Sequence, residues 1–209
     1  MRTTKADMIQ FQLKDRGITD PAVLKAMGSV DRSLFVPDDM QDLAYEDGPL
    51  PIGHEQTISQ PYIVAYMAQE LKLNPEDKVL EIGSGCGYNA AILSQIVSEV
   101  YSIEIVDWLA DLAKENLQKA GISNVYLQHK DGFEGWPEKA PFDAIVLTAA
   151  PPEIPEPLKK QLKVGGKILA PVGEEVQYLN FWEKIGDHKF SKHKLLPVRF
   201  VPMTGEAQR

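Results

Sequence analysis

The stretch VLEIGSGCGYNAAIL, residues 79–93, decides the fold of this 209-residue chain. An apolar run ends at Ile82, and Gly83, Gly85 and Gly87 follow at every second position before a helix-forming run begins. Glycines permit a tight turn and let a ligand approach the backbone closely. In an open α/β sheet, the first strand-to-helix turn lies at the carboxyl edge, where ligands bind.

The spacing of these glycines indicates the kind of ligand. A dinucleotide-binding turn reads G-x-G-x-x-G, whereas this turn reads G-x-G-x-G and has Tyr88 at the sixth position. A bulky tyrosine at that position disfavours NAD. S-adenosylmethionine carries no phosphate, so it needs backbone contact, which Gly83, Ser84 and Gly85 offer, but no anion nest.

Strands and helices alternate through the middle of the chain. Short apolar runs predict strands at residues 78–83, 100–105, 125–129, 142–149 and 167–173. Amphipathic runs predict helices at residues 61–71, 89–97, 107–120 and 155–162, the last stopped by the glycine pair at 165–166. This alternation predicts a doubly wound, mostly parallel sheet of the Rossmann-like type.

Both ends of the chain depart from this alternation. Residues 4–16 predict a helix that stops at Gly17, and Asp20 with Pro21 predicts a second helix through Met27. Residues 178–186 and 194–203 predict two successive strands without an intervening helix, and hence an antiparallel addition to the sheet. We therefore expect a single domain composed of a helical cap with a loop (1–60), an α/β core (61–175) and C-terminal strands with a tail (176–209).

Composition and charge narrow the function. Hydrophobic residues make up 44% of the chain and charged residues 25%, which is ordinary for a globular protein. The net charge is −8 and the longest basic group is KFSKHK at 189–194, so we expect no nucleic-acid partner. No apolar run is long enough to cross a membrane, and the start of the chain lacks the apolar region of a signal peptide.

Metal and disulfide chemistry are not expected. Cys86 is the one cysteine, which excludes an internal disulfide and fits a cytoplasmic protein. The four histidines, His54, His129, His188 and His193, lack metal-ligand spacing, so we expect no metal site.

Two further strand ends carry candidate ligand contacts. Glu104 ends the second predicted strand of the core, where a carboxylate accepts hydrogen bonds from both ribose hydroxyls of a nucleoside. Asp131 and Gly132 follow the third strand at the same edge of the sheet and are candidates for contact with an adenine edge. Three strand ends thus point to one crevice.

Six segments together resemble a known family. These are PIGHEQTISQPYIVAYM (51–67), VLEIGSGCGY (79–88), DGFEGW (131–136), APFDAIVLTAAPPEIP (140–155), GGKILAPVGEE (165–175) and VRFVPMTG (198–205). They resemble protein-L-isoaspartate O-methyltransferases, a family of protein repair enzymes among the class I S-adenosylmethionine methyltransferases. The glycine-rich turn marks the superfamily, whereas TISQP and VRFVPMTG are specific to the family.

The resemblance implies a reaction and a set of site residues. The enzyme would methylate the free α-carboxylate of L-isoaspartyl residues in damaged proteins and peptides, and the ester would reclose to a succinimide that can open to normal aspartate. Ser59 would be the active-site residue, and Val201 would help to hold the isoaspartyl group. The donor S-adenosylmethionine would contact residues along the whole chain, namely Gln56, Thr57, Ile58, Glu81, Gly83, Ser84, Gly85, Glu104, Asp131, Gly132 and Thr204.

Alternatives stay open at this point. Ser59 is a hydrogen-bond donor that orients the acceptor carboxylate, the N-cap of the helix that starts at Pro61, or both. The chain is a carboxyl methyltransferase, a related methyltransferase acting on a small molecule or RNA, or a donor-binding module without catalysis. His54 and Cys86 differ from the smaller residues typical of the family. We expect a monomer that acts on isoaspartyl-containing proteins.

Overall fold

The computed structural model describes residues 2–208 and contains a seven-stranded sheet beside a small hairpin. Within these residues the strands are β1 (Leu50–Gly53), β2 (Gln56–Ile58), β3 (Lys78–Ile82), β4 (Glu99–Glu104), β5 (Val125–His129), β6 (Phe142–Leu147), β7 (Leu162–Val172), β8 (Gln177–Gly186) and β9 (Lys189–Val198). The α-helices are α1 (Lys5–Asp7), α2 (Pro21–Ser29), α3 (Pro61–Leu71), α4 (Tyr88–Ser94), α5 (Asp107–Lys119) and α6 (Glu156–Lys160). None of these helices is long and apolar enough to cross a bilayer.

The large sheet has the order β5-β4-β3-β6-β7-β8-β9. Strands β3 to β7 run parallel to one another, and β8 and β9 are added antiparallel. The chain leaves β3 towards β4 and β5 and then crosses back to β6 on the other side of β3. This reversal opens a crevice beyond the carboxyl ends of β3 and β6, which is where α/β sheets bind ligands. The predicted fold class is confirmed, including the antiparallel addition.

The central strands are apolar because both of their faces are covered. Val79, Leu80, Val100, Ile145 and other residues of these strands are fully buried. Fully burying one such side chain stabilises the fold by about 1.5–3 kcal/mol. The rigid sheet that results fixes the strand ends that surround the crevice.

The N-terminal cap is helical, as predicted, but its first helix is irregular. It passes from α1 into a π-helix over Met8–Leu13 and a 3-10 turn over Lys14–Arg16 before Gly17 ends it with a φ of 90°. The second helix, α2, begins as expected, because the side chain of Asp20 accepts the N–H of Ala22 at 2.8 Å.

The predicted helix at 155–162 was too long. Helix α6 ends at Lys160, and β7 starts at Leu162 and runs through the glycine pair. The physical reason is strand pairing, since the register between β6 and β7 shifts between Phe142 and Ala144. A Cβ on Gly166 would lie 2.9 Å from the carbonyl oxygen of Asp143, so glycine serves a bulged, close strand pair here and not a helix stop.

Three other segments also differ from the sequence-based expectation. Helix α4 ends at Ser94 and not at residue 97. The polar segment before α3 contains the antiparallel β1–β2 hairpin, so it is not simply a loop. The last strand is β9, which ends at Val198 and not near residue 203. Residues 199–208, called the tail below, leave the sheet and return over the end of β6, where Pro202 forms a β-bridge with Ala150.

Candidate active site

A pocket of about 960 Å³, which includes space open to solvent, lies beyond the carboxyl ends of β3, β4 and β6. Three parts of the chain enclose it. The turn at residues 83–87 forms its base, the segment from Gln56 to Ser59 covers one side, and the tail from Val201 to Thr204 covers another. The pocket therefore combines the strand-end crevice with two segments that lie far apart in sequence.

Most of the candidate residues from the sequence line this pocket. Those that do are Gln56, Thr57, Ile58, Ser59, Gly83, Ser84, Gly85, Glu104, Gly132, Val201 and Thr204. Glu81 and Asp131 are the two that do not. Glu81 is fully buried below the pocket, and Asp131 lies behind the tail.

The turn at residues 83–87 curls over the end of β4. The N–H of Gly83 donates to the carbonyl oxygen of Ile103 at 2.8 Å. Gly83, Gly85 and Gly87 all have positive φ values, which L-residues with side chains rarely adopt. A Cβ on Gly85 would meet no atom within 4 Å, so a side chain there would extend into the open space of the pocket. The turn is thus a cradle kept open by the absence of a side chain.

Glu104 is held by backbone donors at the edge of this cradle. One carboxylate oxygen accepts the N–H of Gly85 at 2.8 Å, and the other accepts the N–H groups of Ile105 and Val106 at 2.9 and 3.0 Å. Its side chain is nearly buried, yet it lines the pocket. A carboxylate offers about four lone-pair sites, so it can still accept from a ligand hydroxyl.

A buried polar network lies beneath the pocket. Asn89 donates its side-chain N–H to Glu81 at 2.8 Å, and Ser102 also donates to Glu81. The hydroxyl of Ser102 lies 2.6 Å from that of Ser84. Burial raises the pKa of Glu81 to about 7, although the hydrogen bonds from Ser102 and Asn89 lower it. The nearby charge of Glu104 raises this pKa further. Asn89 and Ser84 line the pocket, so the network connects the buried acid to it.

Sequence reasoning missed several residues of the pocket wall. Thr148 and Ala149 follow β6, and the hydroxyl of Thr148 donates to the carbonyl oxygen of Ile82 at 3.1 Å and also to that of Gly83. A Cβ on Gly83 would overlap this hydroxyl. The sequence did carry a signal for Thr148, because this residue directly follows the strand after the chain reversal, where ligands bind in such sheets. No comparable sequence pattern marks Asn89 on α4 or Leu109 on α5 as a pocket residue.

The tail is attached to the sheet at several points. Ala150 donates its N–H to Val201 and accepts that of Met203, both at 2.8 Å. The side chain of Gln177 exchanges two hydrogen bonds with the backbone of Phe200, at 3.0 and 2.6 Å. These bonds place Val201, Pro202, Met203 and Thr204 along the pocket.

Asp131 holds the tail further along. One of its carboxylate oxygens accepts the N–H of Phe133 at 2.9 Å, and the other accepts that of Glu206 at 2.8 Å. A Cβ on Gly205, whose φ is 85°, would overlap this carboxylate. Its neighbour Gly132 does line the pocket, where a Cβ would overlap Ile82.

The hydroxyl of Ser59 is not used to cap α3. The N-cap of that helix is Gln60, and no side chain caps it. Within residues 2–208 we find no hydrogen bond from the Ser59 hydroxyl, and the half-buried residue lines the pocket. The N-cap interpretation is therefore wrong in this structure, and the hydroxyl is available to a ligand.

As far as the structure describes the chain, the pocket has no cationic side chain and no free thiolate or phenolate in its wall. Among the described residues that line it, none is His, Lys or Arg. Burial raises the pKa of Cys86 to about 11 and that of Tyr88 to about 12, so both stay protonated. The arrangement suits a reaction whose acceptor is already ionised.

Comparison with known proteins gives the family of this pocket. The model of the family "Protein-L-isoaspartate(D-aspartate) O-methyltransferase (PCMT)" matches residues 3–208. The chain belongs to the protein-L-isoaspartate O-methyltransferase family. A protein-L-isoaspartate O-methyltransferase of Opitutus terrae is 52% identical over 201 residues, covering 95% of this chain and 86% of the relative. One of Synechococcus sp. is 54% identical over 207 residues, covering 95% and 84%.

Solved structures of protein-L-isoaspartate O-methyltransferases share the whole fold. One has a TM-score of 0.90 and 30% identity, and covers 98% of this chain and 67% of its own. Another, from Plasmodium falciparum and in complex with S-adenosyl-L-homocysteine, has a TM-score of 0.85 and 28% identity, covering 98% of this chain and 99% of its own. The family match and these relatives confirm the predicted enzyme class, an O-methyltransferase of the protein-L-isoaspartate family.

Proposed function

We propose that the pocket binds S-adenosylmethionine on the turn at residues 83–87 and that Ser59 orients the α-carboxylate of an L-isoaspartyl residue for methylation. One observation carries this proposal. The unpaired hydroxyl of Ser59 faces the same pocket as the glycine cradle and the Glu104 carboxylate, although these come from separate parts of the chain.

The residues present fit the nucleoside part of the donor. Glu104 would accept the ribose hydroxyls, since its three backbone donors fix its orientation and leave acceptor capacity. The cradle left open at Gly85 admits a ligand close to the backbone. Apolar side chains beside it, among them Ile105, Val106 and Leu109, give an adenine ring the apolar surface that it needs.

The segment from Gln56 to Ser59, called the lid segment below, and the tail would complete donor binding. Gln56, Thr57 and Ile58 would contact the donor from one side and Thr204 from the other. We assign Glu81 a supporting role through Asn89 and Asp131 a supporting role through the tail, because neither lines the pocket. Both residues would thus act indirectly and not through the direct donor contact that the resemblance implies.

Positioning, and not proton transfer, is the task of the protein. S-adenosylmethionine supplies an activated methyl group on a sulfonium ion when bound. A carboxylate is ionised at neutral pH, so no residue has to remove a proton from the acceptor. Ser59 would donate a hydrogen bond to one carboxylate oxygen and leave the other oxygen directed at the methyl group.

The acceptor site would exclude water and avoid strong ion pairing. Backbone groups of the tail near Val201 would hold the isoaspartyl main chain beside Ser59. Because no lining residue of the described chain is Lys or Arg, the acceptor carboxylate keeps its nucleophilic charge instead of sharing it with a cation. Closure by the tail and the lid segment would keep water from the reacting groups.

We also propose that the chain acts as a cytoplasmic monomer on proteins and not on nucleic acid. One copy of the chain supplies the glycine turn, the segment from Gln56 to Ser59 and the tail around the pocket, so the proposed donor and acceptor contacts need no second copy. The single cysteine offers no internal disulfide, and the net charge of −8 repels phosphate backbones.

The deciding experiment compares two peptides of identical sequence, one with an L-isoaspartyl linkage and one with a normal aspartyl linkage. We expect methyl transfer from S-adenosylmethionine to the first and none to the second. Equal methylation of both peptides would contradict the proposal. Methylation of neither, with intact donor binding, would favour a small molecule or RNA as the acceptor.

A further inference from the structure

His54 and Trp108 form an aromatic contact that the proposed mechanism does not use. Their ring centroids lie 4.5 Å apart with an angle of 36° between the planes. The contact extends to the neighbouring backbone, because a Cβ on Gly53 would lie 3.3 Å from the Trp108 ring. Neither His54 nor Trp108 is among the residues that line the pocket.

The position of His54 in the chain is conformationally unfavourable. His54 and Glu55 connect β1 to β2 with φ values of 48° and 61°, the left-handed region that hairpin turns of this length favour. Asn-Gly is the preferred pair at such a turn, and other residues there cost about 1–2 kcal/mol each. A histidine at this turn therefore needs a compensating interaction, and the stack on Trp108 provides one.

The contact joins two sides of the pocket. After His54 and Glu55 the hairpin continues into Gln56, Thr57 and Ile58, which line one side. Trp108 is followed on α5 by Leu109, which lines the other side. The stack therefore bridges the lid segment to the wall that begins at Glu104, outside the space where the donor would lie.

We propose that His54 and Trp108 are positioning residues that hold the lid segment in its binding geometry before the donor arrives. The inference rests on the proposed donor site and adds to it a pair of residues that touch neither donor nor acceptor. An aromatic pair contributes about 0.5–1.5 kcal/mol beyond its buried area. Loss of that contact lowers the fraction of chains with a preformed site, and the apparent affinity falls in proportion.

The test uses S-adenosyl-L-homocysteine as the probe and isothermal titration calorimetry as the readout. His54→Asn removes the ring but suits the turn better than histidine. We expect the Kd of this variant for S-adenosyl-L-homocysteine to rise about two- to twelvefold, which is the free energy of the aromatic pair expressed as a ratio of dissociation constants. The Tm of the variant should stay equal or increase. Trp108→Leu should weaken binding similarly, and the conservative Trp108→Phe should restore most of the affinity.

Kinetics and a double-mutant cycle separate positioning from a general structural effect. With saturating donor, kcat of His54→Asn should stay within about twofold of that of the unsubstituted enzyme, because bound donor selects the chains whose lid segment, including Ser59, has the binding geometry. The double variant His54→Asn/Trp108→Leu should bind no more weakly than the weaker single variant, since both changes remove one contact.

Each outcome decides between the two proposals. If the unsubstituted chain does not bind S-adenosyl-L-homocysteine, the proposed donor site fails first. If it binds and His54→Asn binds equally well, the positioning role is wrong and the donor site stands. Fully additive losses in the double variant, or no recovery with Trp108→Phe, would also overturn the positioning role.

Discussion

The carboxylate of Asp131 accepts the backbone N–H of Glu206 at 2.8 Å and thereby ties the tail to the end of β5. Val201 to Thr204, which line the pocket, directly precede the bonded segment. A weaker bond to Glu206 would therefore let the tail leave the pocket more often. A residue at the end of β5 thus holds a residue of the tail that lies 75 positions further along the chain.

Asp131→Asn should loosen the tail without unfolding the sheet. The amide group replaces one acceptor oxygen with a donor, so the bond to Glu206 or that to Phe133 is lost, at about 0.5–1.5 kcal/mol. We expect amide hydrogen exchange at Met203 and Glu206 to accelerate several-fold. Asp111→Asn on α5 removes the same charge at an exposed position and is the matched control. Unchanged exchange in the tail would contradict the role of Asp131.

Ser59→Ala should reduce turnover far more than donor binding. A hydrogen bond to a charged group contributes about 1.5–3 kcal/mol, so kcat/KM for an isoaspartyl peptide should fall about 10- to 150-fold. The Kd for S-adenosyl-L-homocysteine should change by less than about twofold. Ser191→Ala on β9, away from the pocket, serves as the control. Equal losses in both measurements would argue that Ser59 shapes the donor site instead.

Glu81→Gln should flatten the dependence of stability on pH. Burial raises the pKa of Glu81 to about 7, so between its ordinary value near 4.3 and pH 7 the folded chain binds more protons than the unfolded chain. The free energy of unfolding therefore decreases as the pH rises through this window, by an amount on the order of 3 kcal/mol, and is level above it. The variant lacks this decrease.

Urea unfolding at several pH values between 4.5 and 8 measures the difference between the two chains. Other titrating groups are common to both, so their contributions cancel in that difference. At pH 8 we expect Glu81→Gln to be at least as stable as the unsubstituted chain, because its amide can still accept from Asn89. Parallel stability profiles would show that Glu81 titrates alike in the folded and unfolded states.

Gly83→Ala should weaken both the fold and the donor site. The residue has a φ of 98°, and a Cβ there would overlap the hydroxyl of Thr148. Backbone strain of this kind costs about 1–3 kcal/mol before the overlap is relieved. We expect a lower Tm and a Kd for S-adenosyl-L-homocysteine that rises more than about tenfold. Gly48→Ala, where a Cβ meets no atom within 4 Å, should change neither quantity.

Local pattern predicted the parallel core well because its strands are buried on both faces. The five residues of β5 and the eleven of α3 were predicted with their observed boundaries. The failures lie where tertiary pairing outweighs local preference. The glycine pair at 165–166 is typical of a helix stop, yet β6 draws this segment into the sheet. The β1–β2 hairpin has no Asn-Gly signal, because His54 and Glu55 occupy its turn.

The site residues show the same contrast between local sequence pattern and tertiary structure. Strand-end reasoning alone found the glycine turn, Glu104 and Gly132, since parallel strands bring their carboxyl ends together. Ser59, Val201 and Thr204 came from family resemblance, because nothing local shows that a hairpin and a tail fold over the same pocket. Glu81 and Asp131 are close in sequence to pocket residues, but their side chains turn away, and only side-chain packing determines that direction.

The bridge between Ala150 and Pro202 has a consequence for the order in which the enzyme matures. Ribosomes add residues 201–204 after every strand of the large sheet has been synthesised. A nascent chain therefore has its glycine turn and its Ser59 hydroxyl well before it has the last wall of the pocket. Repair activity should therefore require residues 201–204, and a chain that stops at residue 200 should have the folded sheet without the catalytic competence.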